Sequence, residues 1–312
     1  MAPLKLTAPL PALPKVRQYG RRREGLVFVL LLAFFFIYKS AFIDVVGSFL
    51  KIAGHAQTCG PPDAEARHIA PLAQTIPSGD RLAMIVESNA SRSPNLIPIM
   101  LHFATVLGPA WSVVLFTLEE HWEVPSSPAF ARAVQRRQIE VRYLPPATEL
   151  MNSRNVSTFL TRPWIWEQVG SARRVLMFQS DSVICSRAAN TVEDFFEYDF
   201  IGAPVDAKYG VGYSGGLSLR NPKFFLAVTR EADVQRSPEQ HEDEWFYTEA
   251  RRRADQGVTL PTQRVAGQFS VGSIYYPKPL SYHQPGRWQH DKMKEIRDWC
   301  PEVGILTEHR VV

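Results

Sequence analysis

Cysteine is scarce in this chain, and its pattern is as informative as its rarity. Three occur in 312 residues, Cys59, Cys185 and Cys300, with no Cys-x-x-Cys pair among them. That argues against a structural zinc site. No Gly-Lys-Ser/Thr is present, so no P-loop holds a nucleotide here, and no internal repeat is visible. A net positive balance is missing from the body of the chain. Residues 1–24 carry six basic side chains and one acid, +5 against a total of +4, so the remaining 288 residues sum to −1. The basic pI belongs to the tail, and the body lacks the basic excess that a nucleic-acid partner demands.

Long apolar runs are also few. One stands out, Gly25 to Tyr38, fourteen residues that extend to nineteen if Lys39 snorkels and the count continues to Ile43. About 20 residues cross a bilayer core. Arg21-Arg22-Arg23 lies directly before the run, which by the positive-inside rule leaves the N-terminus in the cytosol. The expected organisation is a basic cytosolic tail (1–24), a transmembrane signal-anchor (25–43), a stem or linker (44–78) and a lumenal domain (79–312). A cleaved signal peptide is the competing reading, but no clear small-x-small cleavage site follows. Asn89-Ala90-Ser91 and Asn155-Val156-Ser157 have the pattern of glycosylation acceptors. An oxidising lumen also allows one disulfide among the three cysteines, with the pairing open.

What the body does contain is organised around Arg173-Arg174-Val175-Leu176-Met177-Phe178-Gln179-Ser180-Asp181-Ser182. The apolar stretch is too short for a helix and reads as a central strand covered on both faces. In open α/β sheets ligands bind beyond the carboxyl ends of the strands, where Asp181 stands. Asp181 and Ser182 are equally residue types that cap a turn. Arg81 to Glu87 repeats the pattern, an apolar run ending on a carboxylate. Between the two lie an apolar 3.6-residue spacing over 94–107, a strand over 111–118, a helix over 127–137, a strand over 139–143 and a tryptophan-bearing helix over 158–170. This alternation predicts a mixed α/β fold with a mostly parallel sheet flanked by helices.

The second half differs. A short helix is expected over 192–198 and a strand with a turn over 199–204. Tyr209 to Arg220 then holds four glycines within seven residues, read as a loop bordering a sugar or acceptor pocket or as a plain hairpin loop. His241-Glu242-Asp243-Glu244-Trp245-Phe246 is the densest ionisable cluster. Its acids either cap a helix or include a general base. His283 is read as a loop histidine.

Taken together, Phe178-Gln179-Ser180-Asp181-Ser182, Tyr198 to Pro204, Gly215 to Arg220 and Glu242 to Phe246 resemble the domain of unknown function 5672 family, a largely fungal, glycosyltransferase-like group. The resemblance covers about residues 80–290 and implies a GT-A type, Rossmann-like fold. It implies that Asp181 is the surviving carboxylate of an Asp-x-Asp type motif, holding manganese or magnesium against a donor diphosphate. His283 would be a second metal ligand. Asp243, with Glu242 beside it, would supply the base that deprotonates an acceptor hydroxyl. Glu87, Gln179 and Ser182 at the strand ends, with Gly215 and Gly216, would be donor- or acceptor-binding. The motif departs from the family pattern in reading Ser180-Asp181-Ser182, one acid where two are usual.

The resulting expectation is a single-pass type II membrane glycosyltransferase of the Golgi or endoplasmic reticulum. Its partners would be a nucleotide-sugar donor and a glycan or glycoconjugate acceptor, with inverting transfer. The alternative is a non-catalytic, lectin-like or scaffolding relative. A glycoside hydrolase fits less well, since its two carboxylates must face each other across the scissile bond and the acids here cluster locally.

Overall fold

The computed structural model describes residues 81–234 and 241–306. The tail, apolar run and stem expected over 1–78 lie outside them. Among the described residues, no helix is long and apolar enough to cross a membrane.

The first half alternates as expected: β1 (Arg81–Val86), α1 (Leu96–Leu107), β2 (Ser112–Thr117), α2 (Pro128–Gln135), β3 (Ile139–Tyr143), α3 (Ser153–Leu160), α4 (Pro163–Val169) and β4 (Arg174–Phe178). The second half is β5 (Ser182–Ile184), β6 (Phe200–Pro204), β7 (Tyr213–Arg220), α5 (Pro222–Glu231), α6 (Glu242–Arg252), α7 (Gln263–Phe269), β8 (Ser270–Val271), β9 (Ser281–His283), α8 (Pro285–Trp288) and α9 (Met293–Trp299). The main sheet has the order β3-β2-β1-β4-β7-β6. Its first four strands are parallel, whereas β7 runs antiparallel to both β4 and β6. A smaller sheet, β5-β9-β8, stands beside it.

The central strands are apolar on both faces because both are covered. Leu82 to Ile85, Val113 to Phe116 and Val175 to Phe178 are essentially inaccessible. Phe103 of α1 lies flat on Phe178 of β4, with ring centroids 3.8 Å apart. On the other side Trp166, Phe225 and Phe246, from α4, α5 and α6, meet in one aromatic cluster.

Four expectations are corrected. The helix read over 158–170 is two helices, because Pro163 lacks the amide that continuation needs and instead starts α4. The helix read over 192–198 is a 3-10 turn, Val192–Phe195, closed by a capping box between Thr191 and Asp194. Gly215 and Gly216 do not form a loop; they lie inside strand β7. His283 is likewise no loop residue, but the buried last residue of β9.

A disulfide joins Cys185, just past β5, to Cys300, just past α9, with Cα atoms 5.0 Å apart. It sits in a satellite core with Val183, Val271, Tyr282 and Ile296. This ties the C-terminal helix to the strand that leaves Asp181.

Candidate functional site

Glu87 and Gln179 directly follow the main-sheet strands β1 and β4, and both residues line the same pocket. Val86, Leu150, Val156 and Phe159, among others, supply its apolar side. Glu87 is anchored within it: its carboxylate accepts from the Asn89 amide at 3.1 Å and from the Ser93 hydroxyl at 3.0 Å.

Beyond β4 the chain turns through Ser180 and Asp181 into β5. Antiparallel pairing sets Ser182 of β5 opposite His283 of β9, which carries His283 Nε2 to 3.5 Å from Asp181 Oδ1. The same nitrogen is 3.3 Å from Gln179 Oε1, and Nδ1 is 3.0 Å from the Ser214 hydroxyl. Gln284 closes the far side. Its backbone has a φ of 50°, a left-handed conformation that costs a non-glycine residue about 1–2 kcal/mol. In it, the Gln284 amide donates to the Asp181 carbonyl at 3.0 Å and the side chain donates to Asp181 Oδ2 at 2.8 Å. Ser182 does not join them. It is fully buried, and its hydroxyl donates to the Gly216 carbonyl at 3.1 Å.

One carboxylate oxygen, one imidazole nitrogen and one amide oxygen therefore converge. The imidazole nitrogen stands 3.5 Å from the carboxylate oxygen and 3.3 Å from the amide oxygen, near the roughly 3 Å that separates neighbouring ligands of a cation bound at about 2.1 Å. Among the described residues no three His, Cys, Asp or Glu side chains gather into an all-protein metal centre. Carboxylate, imidazole and amide oxygen are donor types that suit a divalent cation. The imidazole favours manganese over magnesium, which prefers oxygen alone.

Strand β7 carries the other half. Its pairing with β6 shifts register between Gly202 and Pro204, which face Ser218 and Tyr213. The extra residues, Ser214 to Leu217, make a bulge of the kind that re-aims groups beside active sites. The Gly215 carbonyl accepts from the Ser218 hydroxyl at 3.0 Å and from Arg220 Nη2 at 3.2 Å. The Gly215 amide donates to Asp243 Oδ2 at 2.8 Å.

The two glycines serve different neighbours. A Cβ at Gly216 would lie 2.1 Å from His283 Nε2, and one at Gly215 would lie 2.6 Å from Glu242 Oε1 and 2.7 Å from Arg220 Nη2.

Glu242 and Asp243 open helix α6, where acids complement the helix dipole. They are not equivalent. Glu242 is buried and bonded at 2.8 Å to Arg220, itself completely buried. The Arg220 guanidinium is boxed by Phe225, Phe200 and Trp166, with centroids 5.1, 5.3 and 5.6 Å away. Burial, reinforced by neighbouring Asp243, pushes the Glu242 carboxyl above its ordinary range, while Arg220 pulls it back. Asp243 stays half-buried, its second oxygen accepting from the Glu244 amide at 3.0 Å.

Asp181, Gln179, His283 and Gly216 thus form one group, and Gly215, Asp243, Glu242 and Arg220 form an adjoining one. Glu87 meets Gln179 in the pocket. Sequence reading missed Ser214, Arg220 and Gln284. Arg220 had a signal, a charge at the end of the otherwise uncharged Gly-Gly-Leu-Ser-Leu. Ser214 and Gln284 had none.

Residues 138–283 match the model of a protein family of unknown function, DUF5672. The resemblance read from the sequence holds over these residues, a shorter span than 80–290. No curated protein matches the chain. Among solved structures, the apo form of the glycosyltransferase GlyE of Streptococcus pneumoniae TIGR4 is similar at 14% identity and a TM-score of 0.41, covering 65% of this chain and 54% of that one. The apo structure of WbbM, a bifunctional glycosyltransferase, is similar at 12% identity and a TM-score of 0.41, covering 76% of this chain and 53% of that one. The chain thus spans about half the length of these structures.

Proposed function

We propose that this protein is a glycosyltransferase that moves a sugar from a nucleotide-sugar to a hydroxyl of a glycan or glycoconjugate, with inversion. The observation that carries the reading is the pair of adjacent glycines in β7. One admits the Asp181–His283 couple and the other admits the turn bearing Asp243, so a carboxylate–imidazole pair and a half-buried acid flank one strand.

In this reading, Glu87, Gln179 and the pocket beyond the ends of β1 and β4, walled by α3, receive the donor at the carboxyl ends of the strands. Asp181 and His283 would hold a divalent cation, which when bound neutralises charge on the departing diphosphate. Asp243 takes the proton of the acceptor hydroxyl as that oxygen bonds to the anomeric carbon. The bond from this carbon to the diphosphate oxygen breaks, and its electron pair leaves with the nucleoside diphosphate. Gly215 fixes Asp243 for the transfer. Because Glu242 is neutralised by Arg220, the base is Asp243 alone and Glu242 is its anchor.

The proposal includes a type II topology, with a signal-anchor over 25–43, a stem over 44–78 and the folded body in the lumen of the Golgi or endoplasmic reticulum. Supporting it are Arg21-Arg22-Arg23 ahead of the apolar run and the Cys185–Cys300 disulfide, which suits an oxidising compartment.

A second reading, a lectin-like or scaffolding protein without catalysis, is favoured by one observation: the place of a second acid is taken by Ser182, buried against Gly216. One experiment separates the two. The full chain is screened for thermal stabilisation by UDP-, GDP- and dTDP-sugars with and without manganese, since a ligand of the folded state raises its apparent stability. A manganese-dependent shift with one donor class supports the transferase. No shift with any donor removes it.

A further inference from the structure

Next to the candidate site the chain builds a rim that the catalytic reading does not use. The hairpin between β6 and β7 is closed where the Val205 amide donates to the Gly212 carbonyl at 3.0 Å. Within it, the Asp206 amide donates to the Ser273 hydroxyl at 2.9 Å, and the Tyr209 amide donates to the Asp206 carbonyl at 2.8 Å. This tight turn projects Tyr209, whose surface is 54% exposed.

Across from the hairpin stands Trp288 of α8, with ring centroids 4.8 Å apart and planes tilted at 57°. Lys208 Nζ lies 4.9 Å from the Tyr209 centroid, and the Arg287 guanidinium carbon lies 4.4 Å from that of Trp288. Tyr209, exposed, and Trp288, half-buried, thus form a paired aromatic patch with one cation lying over a face of each ring and the remaining ring surface available.

The patch is connected to both halves of the site. Gln284, which holds Asp181, also accepts from Arg287 Nη1 at 3.2 Å at the head of the helix bearing Trp288. On the other side, the Val211 amide donates to Glu244 Oε1 at 3.3 Å, one residue from Asp243. The hairpin thus runs from the acid side of the site to the metal side, past the outer end of β7.

We propose that Tyr209 and Trp288 form a subsite for a sugar ring of the acceptor glycan, with Arg287 and Lys208 donating to its hydroxyls. As an acceptor subsite it rests on the transferase reading; as a carbohydrate site it does not. A pyranose has an apolar C–H face, which packs on an aromatic ring, and a hydroxylated edge, which needs donors. Both are offered here. A protein partner fits poorly. Specific protein interfaces bury about 800 Å² per partner across 20–30 residues, whereas the exposed large apolar side chains at this rim are Tyr209 and Val211.

The test measures carbohydrate binding directly on the full chain. Neutral oligosaccharides of α-mannan, β-glucan, chitin and galactan are each titrated and followed by saturation-transfer NMR. At least one is expected to bind, with affinity falling about tenfold in Tyr209→Ala and in Trp288→Ala and retained in Tyr209→Phe. Thermal melts accompany the variants. Because Tyr209 is exposed, its alanine variant decides the matter even if Trp288→Ala unfolds.

Absence of binding to all four overturns the subsite, and so does binding undiminished in a folded Tyr209→Ala. Oligosaccharide binding that depends on Tyr209, in a protein that no nucleotide-sugar stabilises, would retain the carbohydrate site and remove the transferase.

Discussion

The imidazole of His283 occupies the space where residue 216 would otherwise carry a side chain: a Cβ on Gly216 would come within 2.1 Å of His283 Nε2. Gly216→Ala must therefore push the ring away from Asp181. The expected outcome is loss of manganese binding in a calorimetric titration with the nucleotide-sugar present, with a stability cost of about 1–3 kcal/mol for the overpacking. Asp181→Ala should abolish the same heat. Unchanged manganese binding in both variants would remove this pair as metal ligands.

Asp243→Asn keeps the size and one of the two backbone bonds, that from the Gly215 amide, at the loss of the one from the Glu244 amide, and its amide is too weak a base to take the acceptor proton. Transfer should fall by at least about 100-fold, the usual contribution of a general base, while stabilisation by the donor persists. A variant that retains full transfer would mean that the base lies elsewhere.

Glu242 and Arg220 form a buried pair in which each charge depends on the other. Removing one partner strands the other, so Glu242→Ala is expected to cost about 3–5 kcal/mol in denaturant unfolding. The double variant Arg220→Met/Glu242→Leu should lose less than the two single variants combined. Additive losses would show that the pair does not act as a unit.

The Cys185–Cys300 bond closes a loop with a sequence separation of 115. Cys300→Ser should destabilise the fold by about 2–5 kcal/mol. Non-reducing peptide mapping should recover the two cysteine peptides joined. Recovery of Cys59 linked to either one would contradict the pairing.

His102 lies with Nε2 2.8 Å from the Ile184 carbonyl, and burial lowers its pKa from the usual 6.5. The folded chain therefore takes up this proton less readily than the unfolded chain. As pH falls through 6.5 towards the lower folded value, the unfolded state binds more protons and stability declines; below the folded value the effect levels off. His102→Asn should flatten the dependence of unfolding free energy on pH between about 7 and 5.5. An unaltered slope would show that other groups set it.

Much of the first half of the fold was legible because its signals are local. The apolar runs of β1, β2 and β4 record burial on both faces, and Ile139 to Tyr143 was read with the bounds that β3 has. The site was legible in its residue types and not in its assembly. Gly215 and Gly216 looked like a loop because glycine weakens a strand. Their placement depends on His283 and on the Arg220–Glu242 pair, groups brought in from distant sequence. His283 belongs to a three-residue strand that exists only by pairing with β5 and β8, and such a segment carries no periodicity of its own. The cysteine pairing was open for the same reason. The unequal roles of Glu242 and Asp243, adjacent acids of similar chemistry, follow from which one meets Arg220.

The pairing of β5 with β9 also bears on biosynthesis. A growing chain that has emerged through residue 230 already contains every strand of the main sheet. Asp181 must still wait for His283 and Gln284, about a hundred residues after it, and Cys185 must wait for Cys300. With domains forming from the N-terminal side during synthesis, the scaffold precedes its chemistry. A ribosome stalled near residue 280 would hold the strands of the main sheet while the residues that position Asp181 have yet to be made.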